Sequence, residues 1–258
     1  MSDGRQFGVK RRLFGKKPAR FDKRTLKFGS YLTPALPTPP PRVDWTRGFN
    51  IDWSMLLNDS LGDCTEAAKG HGLQVWGLCN GRMVTVPDST VLAAYEANAG
   101  YVPGDASTDQ GENELDTLNA WRKNGFGGAA LSAYAAIDPR TFAHVQQGIY
   151  LFGFAYIGFS VPQSAMDQNA AGETWDVIGN DGGIQGGHAV IVPMYDARAN
   201  LLTCITWGQR QQLTWAFWQK YVTESYVLLS PAWLGKRGVD PSGFDLAALQ
   251  ADLAAVTA

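Results

Sequence analysis

The sequence predicts an α+β fold: a helical first half, a strand-rich second half and a basic arm ahead of both. Three observations carry this expectation. Residues 43–149 place apolar positions at helical spacing between capping residues. Residues 149–230 change to aromatic and β-branched runs split by Gly, Asn and Asp. "TPALPTPPPR" (33–42) sets five prolines in ten residues before either half, which marks a stiff boundary.

Taken in order, residues 1–32 form an arm rich in Lys, Arg and Gly with isolated Phe and Leu, without the periodicity needed to bury a core, so alone it is expected to be disordered. Residues 33–42 are the proline-rich linker, residues 43–235 the domain, and residues 236–258 a C-terminal tail. Within the domain, "GDCTEAAKGHGLQVWGLCNG" predicts a helix over about 64–79, with Asp63 and Glu66 in capping-box spacing and Asn80-Gly81 as its stop. "DSTVLAAYEANAG" and "ENELDTLNAWRKNG" predict two more. "DPRTFAHVQQG" predicts a fourth, capped by Asp138 with Pro139 at the first helical position. "YLFGFAYIGFSV", "HAVIVPMYDA", "NLLTCITWG" and "ESYVLLS" predict strands, "DARAN" (196–200) a hairpin turn, and "TWAFWQKYV" a short amphipathic helix. In the tail, Leu246, Leu249, Leu253 and Val256 share one helical stripe.

A 258-residue chain that is 45% apolar has ample material for a packed core. Its formal charge of −2 hides a split, because residues 1–30 carry ten Lys/Arg against two acids and the remainder is acidic. No apolar stretch is long enough to span a bilayer, and no apolar core follows the basic N-terminus as a secretory signal requires. The expectation is therefore no membrane. Three cysteines form no even disulfide framework, which points to a reducing, cytoplasmic setting. Metal-ligand spacing of Cys and His is absent from the sequence, and the Gly-rich stretches lack the Lys-Ser/Thr of a phosphate loop, so no metal and no cofactor are expected.

Cys64 opens its helix, where unpaired N–H groups favour a thiolate and lower the pKa. Of the three histidines, His71 lies seven residues up the same helix, too far for a hydrogen bond, and His144 sits among apolar neighbours as a structural residue. His188, in "GGHAVIVPMYD", begins a strand behind two glycines and is the candidate base. Cys79 and Cys204 read as core fillers.

At these blocks the chain resembles the papain-like cysteine peptidases. "PPRVDW" is similar to the start of the mature papain-like chain, with Trp45 nineteen residues before Cys64. "NDSLGDC" resembles the nucleophile block, "DQGENELDTLNAWRKNGFGG" the segment whose glycines bind substrate backbone, "GGHAVIVPMYD" the histidine strand, and "ITWG" the Asn-Ser-Trp-Gly block. The resemblance implies a papain-like fold, with a helical half packed against a twisted antiparallel sheet or barrel half and the site between them. It implies catalytic roles for Cys64 as nucleophile, His188 as base and Asn58 at the oxyanion. It implies substrate-binding roles for Gly62, Gly111, Gly187 and Trp207. Where the family carries the asparagine that orients the histidine this chain has Ile205, so Thr206, Gln209 or a residue from elsewhere is left to do that work. Asn58 is one methylene shorter than the family's glutamine, and Leu61 replaces a disulfide cysteine.

The chemistry implied is peptide or isopeptide hydrolysis by a Cys–His pair on a protein or peptide substrate. The alternative is a non-catalytic papain-fold component of a large assembly such as a phage virion, anchored by its arm. The arm itself has three readings: an inhibitory segment lying across the body, a nucleic-acid binder with Phe interleaved among its basic residues, or an anchor on an acidic protein surface or larger assembly.

Overall fold

Strands that alternate inward and outward need a partner on each buried face, and the second half of this chain supplies a sheet buried on both. The computed structural model describes residues 12–34 and 36–234. In chain order the elements are β1 (Arg42–Asp44), α1 (Cys64–Cys79), α2 (Asp88–Ala99), α3 (Glu114–Asn124), β2 (Ala133–Ala136), α4 (Phe142–Phe152), β3 (Ala155–Pro162), α5 (Gln163–Ala171), β4 (Ile184–Asp196), β5 (Leu201–Thr206), β6 (Gln209–Thr214), α6 (Trp215–Tyr221), β7 (Val222–Leu229) and α7 (Pro231–Leu234). The seven strands make one antiparallel sheet in the order β2-β7-β3-β4-β5-β6, with β1 added against β4. One core cluster unites α4 and α6 with residues such as Val190, Val192, Cys204 and Leu213. A second unites α1, Trp121 of α3 and Phe154 with Ile191, Ile205 and Leu228. The architecture is α+β, as predicted.

α1 is buried almost all round, as a helix that is not amphipathic must be. It can lie this close to the sheet because Gly72 has no side chain: a Cβ there would come within 2.7 Å of the Phe154 ring. This packing fixes where Cys64, its first residue, stands relative to β4. The predicted capping box does not form. Asp63 makes no side-chain cap, and Glu66 turns inward to an ion pair with Lys69.

α4 starts at Phe142, later than the sequence suggests, because the Asp138 carboxylate takes the Arg140 N–H at 2.9 Å and the Thr141 hydroxyl at 3.2 Å in a turn of its own. α5 and β6 lack a sequence signal. The polar "QRQQLT" becomes a strand by pairing along its whole length with β5.

The arm does not stand apart. From Arg12 onward it lies on the body, and Phe28 and Tyr31 are core residues, 0% and 4% exposed. The Ala136 N–H donates to the Leu26 carbonyl at 2.7 Å, and Lys27 bridges to Ala136. The isolated apolar residues that could not form a core alone add to one already present. The linker also follows the surface, with the Tyr195 hydroxyl donating to the Pro40 carbonyl at 2.6 Å. The Leu246–Val256 stripe and residues 1–11 lie outside the described residues.

Candidate functional site

Cys64 opens α1 and His188 lies on β4, and the two elements approach where the backbone of Ala189, the residue after His188, hydrogen-bonds the Cys64 sulfur. The sulfur is buried, 1% exposed, and receives backbone hydrogen bonds from Ala189 and Gly15. Burial nevertheless pushes the thiol up to about 12, the reverse of the depressed value that its helix position predicts. The helix N-terminus is outweighed because burial removes the water that a thiolate needs.

His188 is 1% exposed. Its Nε2 lies 2.7 Å from the Thr206 hydroxyl, and its Nδ1 makes no hydrogen bond. Burial, with a smaller contribution from nearby His71, lowers its pKa to about 3. His71 is itself lowered by burial to about 4, with its Nε2 3.2 Å from the Ser54 carbonyl. Trp207 stacks on the imidazole at 4.5 Å and 17° between planes. It reaches this position through a left-handed backbone at φ 45, followed by Gly208 at φ 72, in the two-residue turn joining β5 to β6. Gln209 is exposed at the start of β6, while Ile205 is fully buried in the apolar cluster on the opposite side of β5 from Thr206. Asn58 is buried with one amide N–H donated to the Leu61 carbonyl at 3.1 Å.

Gly62, Gly111 and Gly187 surround residues 14–16 of the arm. A Cβ on Gly111 would meet the Gly15 oxygen at 1.9 Å, and one on Gly187 the Lys16 oxygen at 2.2 Å. One on Gly62 would stand 2.9 Å from the Phe14 oxygen, and one on Gly15 only 1.5 Å from the Gly62 oxygen. Bare backbone thus lies against bare backbone. The hydrogen bonds come from neighbours: Lys16 N–H to the Gly187 carbonyl (3.0 Å), Glu112 N–H to Gly15 (2.7 Å), Lys17 N–H to Glu112 (2.7 Å) and Leu13 N–H to Asn58 (3.1 Å). Phe14 presents itself edge-on to His188 and Trp207.

Sequence reasoning missed several residues around this cleft. The Gly111 N–H donates to the Tyr95 oxygen, the Tyr95 hydroxyl to Asp109, and the Gly62 N–H to the same carboxylate, so two cleft glycines are tied together. Glu114 and Glu224 are buried beside the Lys16 ammonium. Glu224 had a readable signal: in "VTESYVLL" it shares a face with Tyr226 and Leu228, where an acid is out of place. No group of three metal-ligating side chains, and no helix long and apolar enough to cross a membrane, occurs among the described residues.

No family model and no curated protein sequence matches this chain. Solved structures do. The chain is similar to xylellain, a cysteine protease from Xylella fastidiosa, with a TM-score of 0.64 and 18% identity over 86% of this chain and 98% of that one. It is also similar to digestive procathepsin L 3 of the Tenebrio molitor larval midgut, with a TM-score of 0.52 and 11% identity over 82% of this chain and 75% of that one. ProCathepsin B S9 from Trypanosoma congolense matches with a TM-score of 0.52 and 10% identity over 84% of this chain and 86% of that one. The chain has the papain-like fold.

Proposed function

We infer that the protein is a cysteine peptidase whose cleft is closed by its own N-terminal arm. The observation that carries this reading is the buried Thr206 hydroxyl at 2.7 Å from His188 Nε2, under the Trp207 ring. Any buried histidine gains from one polar partner, but this one is left with an unpartnered Nδ1, and a proton shuttle needs a ring held by one nitrogen with the other open to a proton. In the reaction, His188 takes the thiol proton and Cys64 attacks the substrate carbonyl carbon. The oxyanion accepts from the Cys64 backbone N–H and from the Asn58 amide N–H that otherwise faces the Asp63 carboxyl. His188 returns the proton to the departing amine, and water then releases the acyl group from sulfur. Gly62, Gly111 and Gly187 admit the substrate backbone, as they admit residues 14–16 of the arm.

The arm survives because its Gly15 backbone lends the sulfur a hydrogen bond, which comes from an N–H, instead of offering a carbonyl carbon for attack. Its basic charge finds acidic partners on the body, in Lys16 with Glu224 and Arg20 with Asp116. That pairing supports the inhibitory reading of the arm over an anchor for nucleic acid or a larger assembly.

Gly15→Val in the full chain is the test, since any Cβ there collides with the Gly62 carbonyl. The variant should hydrolyse peptides that the parent leaves intact, and Cys64→Ala in the same chain should abolish this. A folded Gly15→Val chain with an alkylatable Cys64 and no activity on a broad peptide panel would instead favour the non-catalytic assembly component.

A further inference from the structure

Residues 62–65 and 109–112 are joined twice by hydrogen bonds, at one register. The Gly62 N–H donates to both Asp109 oxygens at 3.1 Å, and the Thr65 hydroxyl donates to Glu112 at 2.6 Å. Cys64 lies between these two bonds on the first segment. On the second, Glu112 is the residue whose backbone grips the arm: its N–H donates to the Gly15 carbonyl and its own carbonyl accepts from the Lys17 N–H, both at 2.7 Å. Gly111, at φ 69, turns the chain between the two acids. Helix α2 braces both ends through Tyr95 and Asn98, which share a face. The Tyr95 hydroxyl donates to Asp109 at 2.5 Å while its oxygen accepts the Gly111 N–H at 2.9 Å. The Asn98 amide donates at 2.9 Å to Glu66, which hydrogen-bonds the Glu112 carboxyl. From the sheet, the Tyr156 hydroxyl donates to the Thr65 carbonyl at 3.0 Å.

We propose that Asp109 and Glu112 are positioning residues, whose side chains hold the peptide-gripping backbone of residue 112 in register with the Cys64 sulfur. A segment fastened by one bond can pivot about it; two bonds placed on either side of Cys64 remove that rotation. No covalent tie does this work, since Cys64, Cys79 and Cys204 are all free. Stability alone is served as well by apolar residues of similar volume, whereas a carboxyl group that accepts from two different elements fixes direction as well as distance. Thr65, Tyr95 and Glu112 are buried, so these bonds are shielded from competing water. Attack on a peptide carbonyl demands such placement, because a misfit of about 1 Å between reacting atoms can cost about 10²-fold in rate. The proposal rests on the peptidase reading for its effect on turnover but not for its effect on the arm, and the two are separable.

Turnover is read in the full chain carrying Gly15→Val. Thr65→Val keeps the shape of the side chain and removes the hydroxyl, and Asp109→Leu does the same for the carboxylate. Each should lower kcat by about 10-fold to 10²-fold with KM within about threefold, as expected when a peptide still binds but sits out of place. Thr65→Ser keeps the donor and Glu112→Gln keeps the acceptor, so both should stay within about threefold of the Gly15→Val chain. A loss confined to KM, or an equal loss in Thr65→Ser, overturns the proposal and leaves the peptidase reading standing. If no chain cleaves any peptide, the peptidase reading fails and the arm reports on the clamp instead. Without Gly15→Val, Thr65→Val and Asp109→Leu should speed iodoacetamide modification of Cys64 about tenfold, followed at that residue by mass spectrometry, because the arm is gripped by the same backbone. Thr65→Ser should not. Equal labelling rates in Thr65→Val, Thr65→Ser and the parent chain overturn the proposal.

Discussion

Two clusters of buried charge include Glu112 and Glu114 respectively, and they differ in who supplies the cation. In the first, Lys69 of α1 pairs with Glu66 one turn earlier and stands 4.5 Å over the Phe126 ring. Asn98 holds the other Glu66 oxygen, and the Thr65 hydroxyl donates to Glu112 at 2.6 Å. Burial and the Glu66 charge raise Glu112 to about 8. Every partner there belongs to the domain. In the second, Glu114 and Glu224 belong to the domain while Lys16 arrives on the arm. The first cluster is complete without the arm. The second is completed by a residue of the arm.

Removing each cation sharpens the contrast. Lys69→Met strands Glu66 in a place water cannot reach and should cost about 3–5 kcal/mol of stability. Lys16→Met should cost the domain distinctly less, because the arm can lift and let water reach the carboxylates. Urea melts of the two full-chain variants decide the matter. Equal losses would show that the arm and domain do not separate.

Smaller effects are expected at the histidine. In the Gly15→Val background, Thr206→Val should lower kcat by about 10²-fold with KM little changed, and Thr206→Ser should recover most of it. Ile205→Asn, which the sequence comparison suggests as a repair, should bring no gain. Ile205 faces the apolar cluster with Ile191, so the amide would be buried there at a cost of about 3 kcal/mol. A gain in kcat from Ile205→Asn would mean that Thr206 does not orient His188.

The smallest effect distinguishes the closed thiol from an open one. With Cys64 pushed up to about 12, its alkylation in the parent chain should keep rising about tenfold per pH unit through pH 10, since the thiolate stays the minor form until that pKa is reached. In the Gly15→Val chain the rate should level off at lower pH. A parent chain whose Cys64 rate is already flat at pH 8 would contradict the burial of that thiol by the arm.

Much of this was readable in local sequence. α1 spans the range that its apolar content and its Asn80-Gly81 stop predict, although the capping box at its start does not form. The runs from Ala155, His188, Leu201 and Val222 are strands because aromatic and β-branched side chains suit a sheet buried on both faces. Cys64, His188, Asn58 and three of the cleft glycines were named from spacing and from resemblance to a family. β6, by contrast, is a strand only because β5 offers it an edge, and nothing in "QRQQLT" announces this.

What the sequence alone determined, then, is the set of elements and the residues that carry chemistry, since caps, periodicity and turn residues act within a few positions. What the tertiary structure decided is every quantity that depends on neighbours far along the chain. Thr206, not Ile205, faces His188 because strand alternation turns one residue inward and the next away. The Cys64 thiol is raised instead of lowered because everything packed around it, from sheet to arm, excludes its water. Lys16, one basic residue among ten in the arm, is singled out only when Glu114 of α3 and Glu224 of β7 are brought together beneath it. Desolvation and buried charge pairing are sums over everything nearby in space, and no window of sequence contains them.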